Sequence, residues 1–429
     1  MIKKELIVKK LNKLPAQLSN IIFLSRNLAK IQKVGVYLVG GFVRDILLGV
    51  DNFDLDIVVE KDGIDFAYKL SRVLDAHVIK HRAFGTATIT TKEGLKIDLT
   101  TSRREFYPEP AVLPVVSEGT IEDDLFRRDF TINAMACHID FEKFGEFVDI
   151  SGGLKDLRAG CVRFLHERSF IDDPTRIIRA VRFEQRFRFS IDKKTLGFIK
   201  QAKKFNMLEK VQKHRIRDEI VLIFKEPDAY KVLNRLKQIY NLTFIEKSVK
   251  LNKDLKHSFN AIDKACIWFQ GNFPQRRSLD IWLMYLIVFF QSLGLRSLNN
   301  FISKYAFHRG DSKRIISFKK NFSKINGRLS RKNLSAIKLH KILHSLSYEV
   351  VILALAMSGK KKAKFKIRDY FLRHHHKKIC ITGDDLLSLG VKPGPRFRQI
   401  FQIVFRKKIN AEIHTREEEL ALVRKIIKK

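Results

Sequence analysis

The sequence predicts an α+β protein, with a mixed α/β head at the front and an all-helical remainder. Three observations carry that prediction. Strand-like runs alternate with short helical ones through about Ile150, among them 87–91, 95–102 and 147–150. From Asp172 onward nearly every periodic stretch has helical spacing, glycines and prolines are sparse, and no strand pattern recurs. With 429 residues, 45% of them hydrophobic and 34 of them Phe, the chain can fill real cores and is long enough for two to four domains.

The head elements follow in order. Residues 34–39 are apolar enough for a buried strand, Gly40 and Gly41 carry no side chain to block an oxyanion, and Phe42 to Leu48 has helical spacing. The turn thereby offers N–H groups at a helix start. In a strand over 53–60, Asp54 and Asp56 leave the same face while Leu55 and Ile57 point into the core. Lys96 to Thr100 repeats the alternation, which brings Asp98 outward as a third carboxylate from a neighbouring strand. Each piece alone reads better as an Asp-rich turn or a Gly-Gly bend. In this order they read as a nucleotidyl-transfer site, where carboxylates hold Mg²⁺ ions about 4 Å apart around an in-line displacement.

Residues 102–126 contain Pro108, Pro110 and Pro114 among six acidic residues, too interrupted for a regular element and placed like a lid. Arg127, Arg128, Asp129 and Asn133 then combine two guanidinium forks with a carboxylate and an amide, enough to grip phosphate and ribose hydroxyls together. The same residues could open a helix through Ala136 with Asp129 as its cap. Asp173 and Pro174 suit an N-cap and a first helical position, followed by Arg176, Arg179 and Arg182 at three-residue spacing. Arg44 lies one turn after Gly41, placed to meet a triphosphate, with Asp45 placed to orient it.

The formal charge of +37 and a pI near 10.1 imply a polyanionic partner, nucleic acid above all. Positive charge is concentrated late, since Asp311 is the sole acid between Ser303 and Lys341. The longest apolar run, 281–290, is too short to span a bilayer and reads as a core helix, so no membrane partner is expected. Met1 to Leu11 alternates lysines with aliphatics and has no secretory pattern, which makes the cytoplasm the expected location. Cys137, Cys161, Cys266 and Cys380 are too widely spaced for a zinc site or a disulfide scaffold. His374, His375 and His376 sit in a lysine-rich segment and read as solvated surface.

Three long motifs, Leu38 to Asp56, Arg127 to Ala134 and Asp172 to Phe183, resemble in order the class II tRNA nucleotidyltransferase and bacterial poly(A) polymerase family. The similarity is strongest over 37–187, weaker to about Tyr240, and returns in Ile381 to Leu386 and Lys392 to Pro395. The resemblance implies an N-terminal extension (1–20), a catalytic head (21–150), a neck (151–200), an RNA-binding helical body (201–310) and a basic tRNA-binding tail (311–429). It assigns catalysis to Asp54, Asp56 and Asp98, with metal on Asp54 and Asp56. It assigns nucleotide binding to Gly40, Gly41, Arg44, Arg127, Arg128, Asp129, Asn133, Asp173, Arg176 and Arg179. The motif at 127–133 is expected to select ribose over deoxyribose. Asp173 and Arg176 are expected to template the base, since a carboxylate accepts from the amine that cytosine and adenine share while Arg donates to their ring acceptors. The family usually has Glu at Asp172, and the shorter side chain leaves the role of that position open.

The resulting expectation is a template-independent enzyme that adds C and A, or A alone, to tRNA 3′ ends from CTP and ATP with Mg²⁺. A loop at 102–126 is what the family uses to fit ATP, and its presence points to A addition. Poly(A) synthesis is the nearest alternative, and a catalytically inactive RNA-binding protein is a further one. No His-Asp dipeptide signals an added phosphohydrolase motif, and no obligate protein partner is evident.

Overall fold

The computed structural model describes residues 4–51 and 54–428, which form two compact units. The first runs up to Glu219 and includes Glu226–Lys247; the second comprises Ile220–Lys225 and Ser248–Lys429.

In the first unit, α1 (Lys4–Leu11) and α2 (Ala16–Gln32) precede β1 (Val36–Val39), α3 (Gly40–Leu48), β2 (Leu55–Val59) and α4 (Gly63–Val73). Then come β3 (His77–His81), β4 (Thr86–Thr90), β5 (Lys96–Thr101), β6 (Arg103–Phe106), β7 (Val115–Glu118), α5 (Ile121–Phe126), β8 (Ala136–His138) and β9 (Phe147–Val148). Seven strands make one sheet in the order β3-β4-β5-β2-β1-β8-β9. Within it only β2 and β5 run parallel, and the chain passes from one to the other through α4, β3 and β4. Ile97 and Leu99 are fully buried on one face of β5 while Asp98 is exposed on the other, as the alternation predicts. Phe53, the expected start of the β2 strand, lies outside the described residues, and Asp54 immediately precedes β2.

Two expectations for the head are corrected. Residues 102–126 are not irregular: β6 and β7 pair as a hairpin from Arg103↔Glu118 to Phe106↔Val115, and Thr120 caps α5 with a reciprocal bond to Asp123. The three prolines fall between the strands, where no ladder N–H is needed. The helix that might have opened at Asp129 is a single 3₁₀ turn, Thr131–Asn133, after which Ala136 enters β8 against β1. Burial on the sheet outweighs helical propensity there, because Ala134, Met135 and Ala136 have no exposed surface.

The first unit continues with α6 (Gly153–Ala159), β10 (Cys161–Val162), α7 (Ser169–Asp172), α8 (Thr175–Phe187), β11 (Ser190–Ile191), α9 (Lys193–Lys204), α10 (Met207–Lys210), α11 (Lys213–Phe224, the last five residues of which belong to the second unit) and α12 (Ala229–Ile239). The two-residue β11 interrupts the expected helical run, pairing with β10 after Arg188 ends α8 in a left-handed conformation.

The second unit is helical: α13 (Lys253–Asn272), α14 (Ile281–Phe289), α15 (Leu295–Lys304), α16 (Arg309–Leu329), α17 (Ala336–Leu343), α18 (Tyr348–Met357), α19 (Lys361–Asp369), a π-helical turn at Tyr370–His374, α20 (Gly383–Ser388), α21 (Pro395–Ile409) and α22 (Arg416–Ile427). The apolar run at 281–290 is the buried α14, as expected. No single described helix is long and apolar enough to cross a membrane. The signature at 381–386 is a capping box, in which Thr382 and Asp385 satisfy each other's backbone at the start of α20. Pro395 occupies the first turn of α21. The histidine run departs from expectation: His374 is buried and bonds Asp369, His375 packs between Tyr370 and Phe371, and only His376 is exposed.

The β5 alternation yields a stability test. Leu99→Ala should lower the unfolding free energy by about 3 kcal/mol, whereas Asp98→Asn should stay within about 0.5 kcal/mol. Urea titration of both variants measures the difference.

Candidate active site

The site lies where β1 passes into α3. Gly40 has φ +64°, a conformation that favours glycine, and a Cβ there would meet Nη1 of Arg128 at 2.4 Å and displace that guanidinium. Its N–H is not open to a ligand, because it donates to the Met135 carbonyl at 3.1 Å. The anion-facing donors are therefore those of the following first-turn residues, which have no intrahelical acceptor.

Asp56 and Asp98 are register partners on the parallel pair β2–β5, so their carboxylates leave the same face of adjacent strands. Asp98 accepts from Thr88 Oγ1 at 2.6 Å. Burial pushes the Asp56 carboxyl up to about 6, against the attraction of Arg128, and the neighbouring charges of Asp98 and Asp54 push the same way. Clustered carboxylates that destabilise one another in this way suit a divalent cation. Among the described residues no group of three or more His, Cys, Asp or Glu side chains is placed to hold a metal ion. The adjacent carboxylates of Asp56 and Asp98 would offer Mg²⁺ the one or two protein ligands it takes, water and substrate phosphates completing its shell.

A chain of bonds leads inward from the glycine turn. Arg44 is buried, held by Asp45 through two bonds of 2.7 and 2.9 Å, stacked on Phe187, and donates to Asn133 Oδ1 at 2.5 Å. Asp45 thus orients Arg44 as expected. The Arg44 guanidinium is braced from within by these partners and keeps one edge toward Gly41. Asn133 Nδ2 donates to Asp129 Oδ1 at 2.9 Å, and Asp129 Oδ2 accepts from Arg179 at 2.8 and 2.6 Å. Burial pushes the Asp129 carboxyl up, yet Arg179 and the Asn133 bond outweigh it and hold it below the usual range. Arg179 faces Glu219 at 3.7 Å, Glu219 accepts from Arg182 at 2.9 Å, and Arg182 and Arg186 both bind Glu226.

Arg127 and Arg128 share one buried carboxylate. Asp124 has no exposed surface and gives one oxygen to each guanidinium, at 2.6 and 2.8 Å. Its burial works against ionisation, but Arg128 and Arg127 together hold its pKa below the ordinary value. This leaves Arg128 Nη1 over the glycine turn, while Arg127 is also tied to Glu105 of β6. The motif reading missed Asp124, whose only sequence signal is its spacing of three and four residues before the two arginines.

At the start of α8, Asp173 Oδ1 accepts from the Thr175 backbone at 3.1 Å and its hydroxyl at 2.6 Å, and from Arg215 at 2.7 Å. Arg176 is buried, with its fork donating to Ser169 Oγ and to the Arg127 carbonyl. The expected cap is corrected: Pro174 is the capping position of α8 and makes no side-chain cap bond, because its backbone is already helical, while the Asp173 carboxylate closes a turn onto Thr175. Asp172 is buried at the end of α7 and pairs with Arg168 at 3.4 Å.

A glycine turn facing paired carboxylates on a mixed sheet, backed by arginines, is the arrangement of a nucleotidyltransferase. Residues 36–163 match the poly A polymerase head domain, and residues 188–242 match a probable RNA- and SrmB-binding site of polymerase A. The chain is 32% identical to the A-adding tRNA nucleotidyltransferase of Halalkalibacterium halodurans over 91% of its own length and 88% of that protein. It is 33% identical to the A-adding enzyme of Geobacter sulfurreducens over 90% of its own length, but spans only 44% of that longer relative. A solved Thermotoga maritima CCA-adding enzyme in complex with tRNA superposes with a TM-score of 0.66 at 30% identity, covering 97% of each chain. Solved CCA-adding enzymes of the same fold also include complexes with ATP and with CTP. The chain belongs to the tRNA nucleotidyltransferase family.

Asp124→Asn should cost about 3–5 kcal/mol at neutral pH, because it strips the charge that two half-buried arginines share. The folded pKa of Asp124 is depressed, so its contribution is fully present above the unfolded value of about 3.9 and is lost as pH falls through the folded value. Chemical unfolding at several pH values should therefore show wild type and variant converging below about pH 4.

Proposed function

We propose that this chain is a template-independent tRNA 3′-end nucleotidyltransferase that uses CTP and ATP, and that it completes the end with A. The single observation behind this is the registered Asp56–Asp98 pair facing the Gly40 turn and Arg128. Asp54, Asp56 and Asp98 supply the negative face, with Asp54 and Asp56 as the metal ligands. A divalent metal such as Mg²⁺ held there lowers the pKa of an attacking hydroxyl and neutralises charge on the leaving group. Arg128 and the first-turn N–H groups of α3 hold the triphosphate in line. The ribose hydroxyl at the RNA end attacks the α-phosphate, a new phosphodiester forms and pyrophosphate leaves. Asp129 and Asn133, fixed by Arg179 and Arg44, present the polar edge that meets the ribose. The Asp173 carboxylate accepts from the exocyclic amine common to cytosine and adenine, with Arg176 donating beside it.

The tRNA-bound, ATP-bound and CTP-bound relatives support these partners. Basic side chains exposed on and after α16, among them Lys320, Lys324, Arg328, Arg331 and Lys332, supply charge for RNA phosphates. Asp311, the one acid of that stretch, is spent on Arg314. Two A-adding relatives aligned over nine-tenths of the chain favour a specialist that adds only the terminal A; the solved neighbours favour complete CCA synthesis.

One assay separates these readings: tRNA ending at the discriminator base, after one C and after two, is offered each NTP singly. Addition at all three ends means CCA synthesis, activity confined to the CC end means an A-adding enzyme, and long A tails on unstructured RNA mean a poly(A) polymerase. No addition to the CC end overturns the proposal.

Two further outcomes are expected. Asp54→Ala and Asp56→Ala should each abolish incorporation and leave tRNA affinity within about twofold, since RNA phosphates are held by basic side chains. Filter binding and incorporation measured on the same preparations check this. Wild-type affinity for tRNA should fall at least about tenfold between 50 and 200 mM salt, and a flat dependence would contradict the role given to the basic surface.

A further inference from the structure

Four histidines meet where α17, the π-helical turn and α21 come together, and the nucleotide site uses none of them. His340 of α17 stacks on His344 with 4.3 Å between ring centroids, and His344 in turn lies 6.3 Å from His375. His340 also meets Phe405 of α21 edge-on at 4.8 Å, which joins α17 to a module, α20 to α22, that has a hydrophobic core of its own around Leu386, Ile400 and Val404. Two of the four rings are sealed from water. His340 is 7% exposed and its Nε2 has no hydrogen-bond partner among the described residues; His374 is 9% exposed, and the same holds for its Nδ1. A charged imidazole is a donor at both nitrogens, so a protonated His340 would carry a buried N–H with nothing to accept it.

The surrounding charges deepen that cost. Arg276, in the segment after α13, bears on His375 together with Lys378 and His376, while Tyr348 at the start of α18 and Tyr370 of the π-helical turn give it neutral rings. Arg373 and Lys377 bear on His374. The carboxylate in this set, Asp369, is engaged by His374 Nε2 and by Arg373, each at 3.2 Å. On His340 the other three imidazoles act, each of them repulsive once charged. Burial holds His340 and His375 down at about 4, and their cationic neighbours push the same way.

We propose that this histidine cluster is an acid-released latch: with its rings neutral it seats α21 against α17 and the π-helical turn, and proton uptake forces that seam apart. In an opened segment the histidines regain the ordinary value of about 6.5, so the open state takes up protons first. The folded values are depressed, and the latch is therefore at full strength above about pH 6.5 and weakens as pH falls toward about 4.

Amide hydrogen exchange of the full-length protein tests the latch, read as protection factors so that the intrinsic effect of pH on exchange divides out. Wild type, His340→Phe, His375→Phe, the double variant and His376→Gln are compared between about pH 7 and about pH 5. Phe keeps the ring and its stacking but takes up no proton, and the exposed His376 serves as the control. In wild type, protection of α17 and of the turn at 370–375 should fall at least about tenfold more than that of the buried α14. His376→Gln should fall as far as wild type, the single Phe variants less far, and the double variant within about twofold of α14. Should the double variant fail to fold, the singles decide. A wild type in which α17 falls no further than α14, or Phe variants that fall as far as wild type, would overturn the latch.

Discussion

The grip of Arg179 on Asp129 is the interaction on which the rest of this site depends. Asp129 is a buried carboxylate between a cation on α8 and an amide on the turn before β8, and without Arg179 it would protonate or pull away. With it, an unbroken line of paired groups runs from Asp45 and Arg44 behind the glycine turn, through Asn133, Asp129, Arg179, Glu219 and Arg182, to Glu226 and Arg186. Charges alternate along that line, so each group desolvates its neighbour and also compensates it. Removing a charged member deprives its neighbours of a buried partner, which ties the geometry of the turn to the packing of α8 and α11.

The sheet solves the complementary problem of holding like charges together. Burial is the chief reason the Asp56 pKa is raised, the charge of Asp98 beside it adds to that cost, and the fully buried Ile97, Leu99, Leu55 and Ile57 on the opposite side offset it. A one-residue slip of β5 would send Asp98 into the core, so hydrophobic register is what guarantees the acidic face. The carboxylates are unfavourable neighbours in the protein alone, a repulsion that the cation of the proposed reaction would relieve.

Much of this was legible in the sequence, and the exceptions have physical reasons. The period-two pattern of Lys96 to Thr100 fixed the direction of Asp98, and the glycine pair located the turn, because both signals are local. Residues 102–126 misled because three prolines within a loop hide the short β6 and β7 that flank it. Asp129 resembled a helix cap, but the apolar Ala134 to Ala136 are drawn into the sheet, a tertiary effect with no local sign. Arg215, Glu219 and Asp124 were passed over because a charged residue on a helix is usually solvated, and only the packing of α8 against α11 and α5 against the motif arginines buries them. The bracing of Arg44 by Asn133 and Phe187 was not legible either, because both partners come from distant parts of the chain.

The central claim is that the polar line acts as one unit, and a double-mutant cycle between two members that do not touch tests it most directly. Asn133→Ala and Arg179→Ala are combined, and the ATP over dATP ratio of kcat/KM is converted to free energy for the singles and the double. Because both residues act on Asp129, the account predicts a coupling energy of at least about 1 kcal/mol, the double variant losing less than the sum of the singles. Additivity within about 0.5 kcal/mol would mean that the two residues act independently and would contradict it.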